Sequence, residues 1–188
     1  MTTGRPPNVL VPLTTGSEEL EAVGAVNLLR RAGCEVVVAG LEEPPIVCAR
    51  RLRIVPDARW ADLRPEEFDA LALPGGAEGT RRFLDRPDLI AAVRALHDAG
   101  RWVAAICAAP LVLQAAGLLR GRRATSHPSV RERLTDPVYS EEAVVVDGRV
   151  ITSRGAGTVV PFGLALVGAL CGPEAAARVA REIVYTGG

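Results

Sequence analysis

The run Trp102-Val103-Ala104-Ala105-Ile106-Cys107-Ala108-Ala109-Pro110 puts a single cysteine where a nucleophile can be made. The small and β-branched residues through Ile106 suit a central strand. Ala108 to Ala116 can coil at once, with Pro110 tolerated in the opening turn because its missing N–H has no partner to lose there. Cys107 falls at the joint, against unpaired amide N–H groups and the positive end of a helix dipole, both of which favour thiolate over thiol. That is the geometry of a nucleophile elbow with cysteine in the place of serine. The same pattern also fits an inert cysteine packed under a helix.

Proton-transfer groups near neutrality are scarce, since the chain holds only two histidines. His97 reads as a surface residue on the polar side of a helix. His127, in the turn Ser126-His127-Pro128, reads either as a general acid/base or as a turn residue with a satisfied ring. Glu18 and Glu19 suit a helix N-terminus, where acidic side chains complement the dipole. Glu21 stands with Leu20, Val23 and Gly24 where that helix passes from cap to buried face, so its carboxyl can point beneath the strand ends. A desolvated carboxyl there stays protonated and donates to a neighbouring sulfur; a solvated glutamate fits the pattern as well.

Composition excludes several classes. Within 188 residues, 48% are hydrophobic and the formal net charge is zero, which describes one globular domain and gives no basic surface for nucleic acid. The longest apolar stretch, Val159 to Gly172, is too short to span a bilayer, and residues 1–7 lack a signal-peptide pattern, so a cytoplasmic protein with a flexible N-terminus followed by a domain over 8–188 is expected. Cys34, Cys48, Cys107 and Cys171 occur singly, without the spacing of a zinc site, a redox dithiol or a disulfide scaffold; no metal is expected, and Cys34 and Cys171 read as core. All 22 basic residues are arginine, which removes Schiff-base chemistry and a Walker-type lysine.

Strands and helices alternate. Strands are expected at Asn8–Leu13, Cys34–Leu41, Asp69–Leu73, Trp102–Ile106, Arg123–Thr125, Ala143–Val146 and Val150–Ser153, with a hairpin made by Ile46–Arg50 and Leu52–Val55. Helices are expected from a Ser17 cap to Arg31, over Leu89–Ala99, after Cys107, briefly from Ser129, and over Thr158–Leu170 and Pro173–Val184. This order predicts an α/β fold: a mostly parallel sheet with helices on both faces, a flavodoxin-like sandwich with its site at the carboxyl ends of the strands. Four segments should meet at that edge, Gly16 to Glu21, Leu73 to Gly76, Ala105 to Ala108 and Ser126 to Pro128.

Seven separated motifs, GSEELEAV, RRAG, VAGL, LPGG, AAICAAP, SHP and TSRGAGT, in this order over essentially the whole chain, resemble the ThiJ/PfpI superfamily, in particular the single-domain branch of the parkinsonism-associated protein deglycase and its bacterial relatives. The resemblance implies that Cys107 is the reactive nucleophile, that Glu21 is the carboxyl beside it, protonated while the sulfur is ionised, and that the N–H groups of Gly76 and Ala108 line an oxyanion pocket. It implies that His127 lies near the sulfur in poor alignment, and that Arg31 and Arg50 reach the pocket of a partner subunit in a homodimer. Gly155-Ala156-Gly157 lacks the proline that relatives often carry between the glycines. The late H-x-E of class I glutamine amidotransferases follows neither histidine, which puts a full hydrolytic triad and PfpI-type peptidase activity in doubt.

The resemblance implies a cofactor-independent glyoxalase or deglycase, of hydro-lyase or hydrolase type, converting methylglyoxal or glyoxal to hydroxyacids and acting on early glycation adducts. The alternative it allows is a redox sensor or chaperone that works through a Cys107 sulfinate.

Overall fold

The computed structural model describes residues 4–187. The first strand, β1 (Asn8–Leu13), leads to helix α1 (Glu19–Arg31) and strand β2 (Glu35–Gly40). A short hairpin follows, β3 (Ile46–Val47) with β4 (Arg53–Ile54), then β5 (Ala58–Arg59), β6 (Ala70–Leu73), α2 (Ala77–Leu84) and α3 (Pro87–Asp98). The chain continues through β7 (Trp102–Ile106), α4 (Pro110–Ala115), β8 (Arg123–Ala124), a 3₁₀ segment Pro128–Arg133, β9 (Val138–Tyr139), β10 (Val144–Asp147) and β11 (Val150–Ser153), and closes with α5 (Val159–Cys171) and α6 (Pro173–Glu182).

Seven strands form one sheet in the order β10-β11-β7-β6-β1-β2-β5, parallel throughout except for the antiparallel β10 on its edge. Alternation along the central strands feeds two cores. Leu10, Leu71, Leu73, Val103 and Ala105 face α2, α3 and α4, while Val9, Val11, Ala70, Ala72, Ala104, Ile106 and Ile151 face α1, α5 and α6. A strand covered on both faces must be apolar at every position, which is why β6 and the last four residues of β7 are buried without interruption.

The expected sandwich is therefore present, with local differences. Helix α1 is capped by Glu18, whose carboxylate accepts from the Glu21 N–H at 2.8 Å. Ser17, expected at that position, is fully buried, and its hydroxyl instead accepts from the Thr14 N–H. Helix α2 was not among the expected elements, because Gly79 and a polar run hide its pattern. The helix forms because a Cβ at Gly79 would lie 2.7 Å from Ser17 Cα, so glycine alone allows the close approach, and because Phe83 is completely buried.

β5 joins the sheet edge with only two residues; Asp57 leads it in by accepting from the Val38 N–H through its carboxylate and donating its own N–H to Val38 O. β8 pairs with the unexpected β9 in a separate two-stranded sheet. His97 is not a surface residue: its side chain is 19% exposed, and Nε2 lies 3.3 Å from the Arg122 guanidinium.

The expected flexible N-terminus lies partly outside the described residues. Within them, Arg5 pairs with Asp69 and Pro7 O accepts from the Glu35 N–H. No helix among the described residues is long and apolar enough to cross a membrane.

Candidate active site

Cys107 occupies a sharp bend at the carboxyl end of β7. Its φ of +66° is a conformation that side chains with a Cβ rarely adopt, so the surrounding structure must hold it. Two bonds do so from opposite sides: the Cys107 N–H donates to Ser153 O at 3.0 Å, and the His127 N–H donates to Cys107 O at 2.8 Å. The elbow is thereby pinned between β11 and the Ser-His-Pro turn. The helix beyond it is six residues long and starts only at Pro110, after a turn over Cys107 to Ala109. Individual amides rather than a long helix dipole therefore act on the sulfur, and those of Gly76 and Ala108 favour its anion.

Glu21 comes from the first turn of α1 and is 1% exposed. It starts the buried stripe Glu21, Ala22, Ala25, Leu28 and Leu29, so the inward phase expected from the sequence holds. Its expected companions do not, since Leu20 is 55% and Val23 48% exposed. The carboxyl is fixed at Oε2, which accepts from the Gly75 N–H at 2.7 Å, whereas Oε1 is buried and has no hydrogen-bond partner among the described residues. A Cβ at Gly75 would stand 2.5 Å from Cys107 Cβ and 2.8 Å from Glu21 Oε2; the first glycine of LPGG is what lets these side chains converge. The second, Gly76, turns its amide toward the sulfur from a φ of +92°.

The two groups titrate as a pair. Burial pushes the Glu21 carboxyl up to about 7, against the Gly75 N–H and the Cys107 interaction, which lower it. Burial and then the Glu21 carboxylate push the Cys107 thiol up to about 12, against the Gly76 and Ala108 amides. One proton is thus held between sulfur and carboxyl from about 7 to about 12. The sequence pointed to an acidic thiol beside a protonated Glu21; burial and the Glu21 carboxylate instead hold the thiol up, because an anion on both groups at once is costly.

His127 is brought to the elbow by its backbone and not by its ring. The side chain is exposed, and Nδ1 accepts from the Ser129 N–H at 3.2 Å and lies 2.8 Å from the Ser129 hydroxyl. With the Ser129 N–H donating to Nδ1, the proton of the neutral ring belongs on Nε2. Arg31 sits on the last turn of α1, ten residues and about 15 Å along the helix from Glu21, with Nε on Asn27 Oδ1. Arg50 lies in the β3–β4 turn, its N–H donating to the Glu19 carboxylate at 2.8 Å. Among the described residues no hydrogen bond or ion pair joins either guanidinium to Cys107 or Glu21. A feature the sequence did not reveal is the role of Gly75, whose need for a bare Cα is visible only once Cys107 and Glu21 are seen on either side of it.

A parallel α/β sandwich with a cysteine elbow, a buried glutamate beside the sulfur and two amides aimed at it defines a class of nucleophilic-cysteine protein. Residues 7–169 match the profile of the DJ-1/PfpI family, and the chain belongs to that family. Protein DJ-1 homolog A of Arabidopsis thaliana is 38% identical over 177 residues, covering 93% of this chain and 45% of its own length. This chain spans less than half the length of that relative and of its homolog B. The crystal structure of Drosophila melanogaster DJ-1beta superposes with a TM-score of 0.92 at 37% identity, over 96% of this chain and 98% of that one. A Caenorhabditis elegans relative named glutathione-independent glyoxalase DJR-1.2 is 36% identical over 160 residues, covering 84% of this chain and 85% of its own. The family thus includes a glyoxalase.

Proposed function

We propose that this protein is a cofactor-independent glyoxalase that converts methylglyoxal or glyoxal to the hydroxyacid, with Cys107 as nucleophile and Glu21 as the proton carrier. The observation that carries the reading is the Glu21 carboxyl itself: anchored through Oε2, unpartnered at Oε1, buried beside the sulfur and titrating at about 7. A group with that pKa gives and takes protons with equal ease at neutral pH.

In the nucleophilic form the shared proton rests on Glu21, and the sulfur is an anion held by the Gly76 and Ala108 N–H groups. Sulfur adds to the aldehyde carbon of methylglyoxal, and the resulting alkoxide takes the proton from Oε1 to give a hemithioacetal. The two amides, released as the sulfur becomes neutral, then face the oxygen on which charge develops. Glu21, now ionised, removes the proton from the former aldehyde carbon and returns it to the adjacent carbon, while the hemithioacetal hydroxyl proton passes to the neighbouring ketone oxygen, leaving the thioester of a 2-hydroxyacid. Water hydrolyses the thioester, lactate leaves, and the pair regains its single proton; the net change is addition of one water to methylglyoxal. The ring of His127, bound to Ser129, is left outside this relay. Release of aldehyde from early glycation adducts would draw on the same steps.

A homodimer suits the surface. Leu20 and Val23 on α1 are exposed, as are Val47, Leu52 and Val55 in and just after the hairpin, whose turn is held to the start of α1 through Ala49 N–H to Ser17 O and through Arg50 N–H to the Glu19 carboxylate. A partner across this face is where Arg31 and Arg50 would find a use. A second reading, redox sensing, draws on the same donors, since the Gly76 and Ala108 amides and a protonated Oε1 can hold the oxygens of a sulfinate.

The deciding experiment is steady-state turnover of methylglyoxal with chiral lactate detection, using wild type and Cys107→Ala. Lactate formed by wild type and lost in the variant supports the enzyme; no turnover by folded, reduced wild type overturns it.

A further inference from the structure

Two thiols far from the active site meet in the second core. Cys34 precedes β2 and Cys171 ends α5, and their sulfurs lie 3.4 Å apart across 137 residues of sequence. Each backbone is held independently: the Cys34 N–H donates to Leu29 O, and Cys171 is the last residue of α5, before the turn at Gly172, whose N–H donates to Gly168 O. The sulfurs are therefore presented to each other by two packed helices and the sheet, not by a mobile loop. Cys34 is 6% exposed and Cys171 is half-buried, so an oxidant reaches Cys171 first.

We propose that Cys34 and Cys171 form a second, reversible redox centre, in which a peroxide-class oxidant converts the two thiols to an intramolecular disulfide that fastens α5 to the start of β2. The Cys171 thiol loses its proton and its sulfur attacks the peroxide O–O bond, giving a sulfenic acid and one water. Cys34 sulfur then attacks the sulfenic sulfur; the S–O bond breaks, the S–S bond forms, and the oxygen leaves with the Cys34 proton as a second water. Two thiols are oxidised by two electrons and one peroxide is reduced. Burial and the neighbouring Cys171 hold the Cys34 thiol up at about 12, so its attack on the sulfenic sulfur is slow and the centre answers to sustained oxidation. The site is separate from the aldehyde chemistry and does not depend on it. Its product is reducible by dithiols, whereas a Cys107 sulfinate is not.

The test treats full-length Cys107→Ala protein with graded hydrogen peroxide, and compares it with Cys34→Ser and Cys171→Ser made in the same background. The expected result is loss of two hydrogens in the intact mass, a non-reduced peptide joining Cys34 to Cys171, and a melting temperature raised by roughly 5 to 10 °C through closure of the long loop. Dithiothreitol should reverse all three, and both serine variants should lack them while keeping a cooperative melt. Stepwise oxygen addition at Cys34 or Cys171 with no linkage, a disulfide involving Cys48, or a cross-link between two chains would each overturn the proposal. If a serine variant does not fold, the peptide map and the dithiothreitol reversal in Cys107→Ala alone still decide it. Methylglyoxal turnover by the wild type is read separately, so failure of this centre leaves the reading of Cys107 untouched.

Discussion

Gly75 donates its N–H to Oε2 of Glu21 at 2.7 Å while leaving its own α-carbon bare against Cys107. One residue thus fixes the carboxyl and makes room for the thiol. Replacing it by alanine would set a methyl 2.5 Å from Cys107 Cβ and 2.8 Å from both Glu21 Oε2 and the carbonyl of Ile106. Backbone oxygen and Cβ atoms cannot swing aside. Gly75→Ala is expected to lower stability by about 1–3 kcal/mol and to cut aldehyde turnover by about 100-fold. Melting curves and steady-state rates check this; a variant that turns over like wild type would mean that the Cys107–Glu21 spacing is not critical.

Glu21 and Glu18 separate catalysis from capping. Glu21→Gln keeps the volume and cannot carry the proton, so turnover should fall by at least about 100-fold. Glu18→Ala removes the acceptor for the Glu21 N–H, which should cost about 1 kcal/mol of stability, with turnover changed by only a few-fold. The pH dependence of stability gives a second signature. Folded Glu21 holds its proton to about 7, whereas the unfolded chain releases it near 4.5. The native state therefore binds more protons between these values, and stability is fully present below about 4.5 and declines as pH rises toward 7. The decline should amount to about 3 kcal/mol and should vanish in Glu21→Gln when denaturant midpoints are compared across that window.

His127 offers a contrast. Its ring is held by Ser129 and exposed, while its N–H supports the Cys107 carbonyl. His127→Ala keeps the backbone bond, so turnover should drop by less than about 10-fold, below the usual range for a general acid/base. A loss as large as that of Glu21→Gln would show that the ring turns toward substrate.

Mild peroxide should modify Cys107 before the other three cysteines. Cys34 and Cys48 are buried, whereas Cys107 is part-exposed at the elbow, faces the Gly76 and Ala108 amides and can pass its proton to Glu21. Peptide mapping after graded oxidation should find sulfinate at Cys107 first. Modification starting at Cys48 would contradict the pairing of Cys107 with Glu21.

Much of this was readable from residue pattern because strands covered on both faces are uniformly apolar, as at β6 and β7, and because the elbow needs a strand, a reactive residue and small neighbours in immediate succession. The inward phase of Glu21 was expected in the company of Leu20, Val23 and Gly24, of which Leu20 and Val23 are exposed; the stripe it begins is continued by Ala25 and Leu28. Three things were not. Helix α2 is stabilised by a glycine packing on the Ser17 backbone, a contact between distant segments. The orientation of the His127 ring follows from Ser129, where a one-rotamer difference decides between catalysis and structure. The meeting of Cys34 with Cys171 depends on how α5 lies on the sheet, which no local spacing encodes.

The central claim is that Cys107 and Glu21 share one proton at neutral pH. The most direct test is the rate of Cys107 alkylation by iodoacetamide as a function of pH, in wild type and in Glu21→Gln, with Cys107→Ala as the blank. Wild type should show a single rise centred near 7 followed by a plateau, because loss of the first proton from the pair makes the nucleophile available. In Glu21→Gln the sulfur has lost its proton acceptor while remaining buried, so the rise should move to higher pH, at or above the ordinary thiol value of about 8.5. A wild-type rise at or above that value, or a profile that Glu21→Gln leaves in place, would contradict the account.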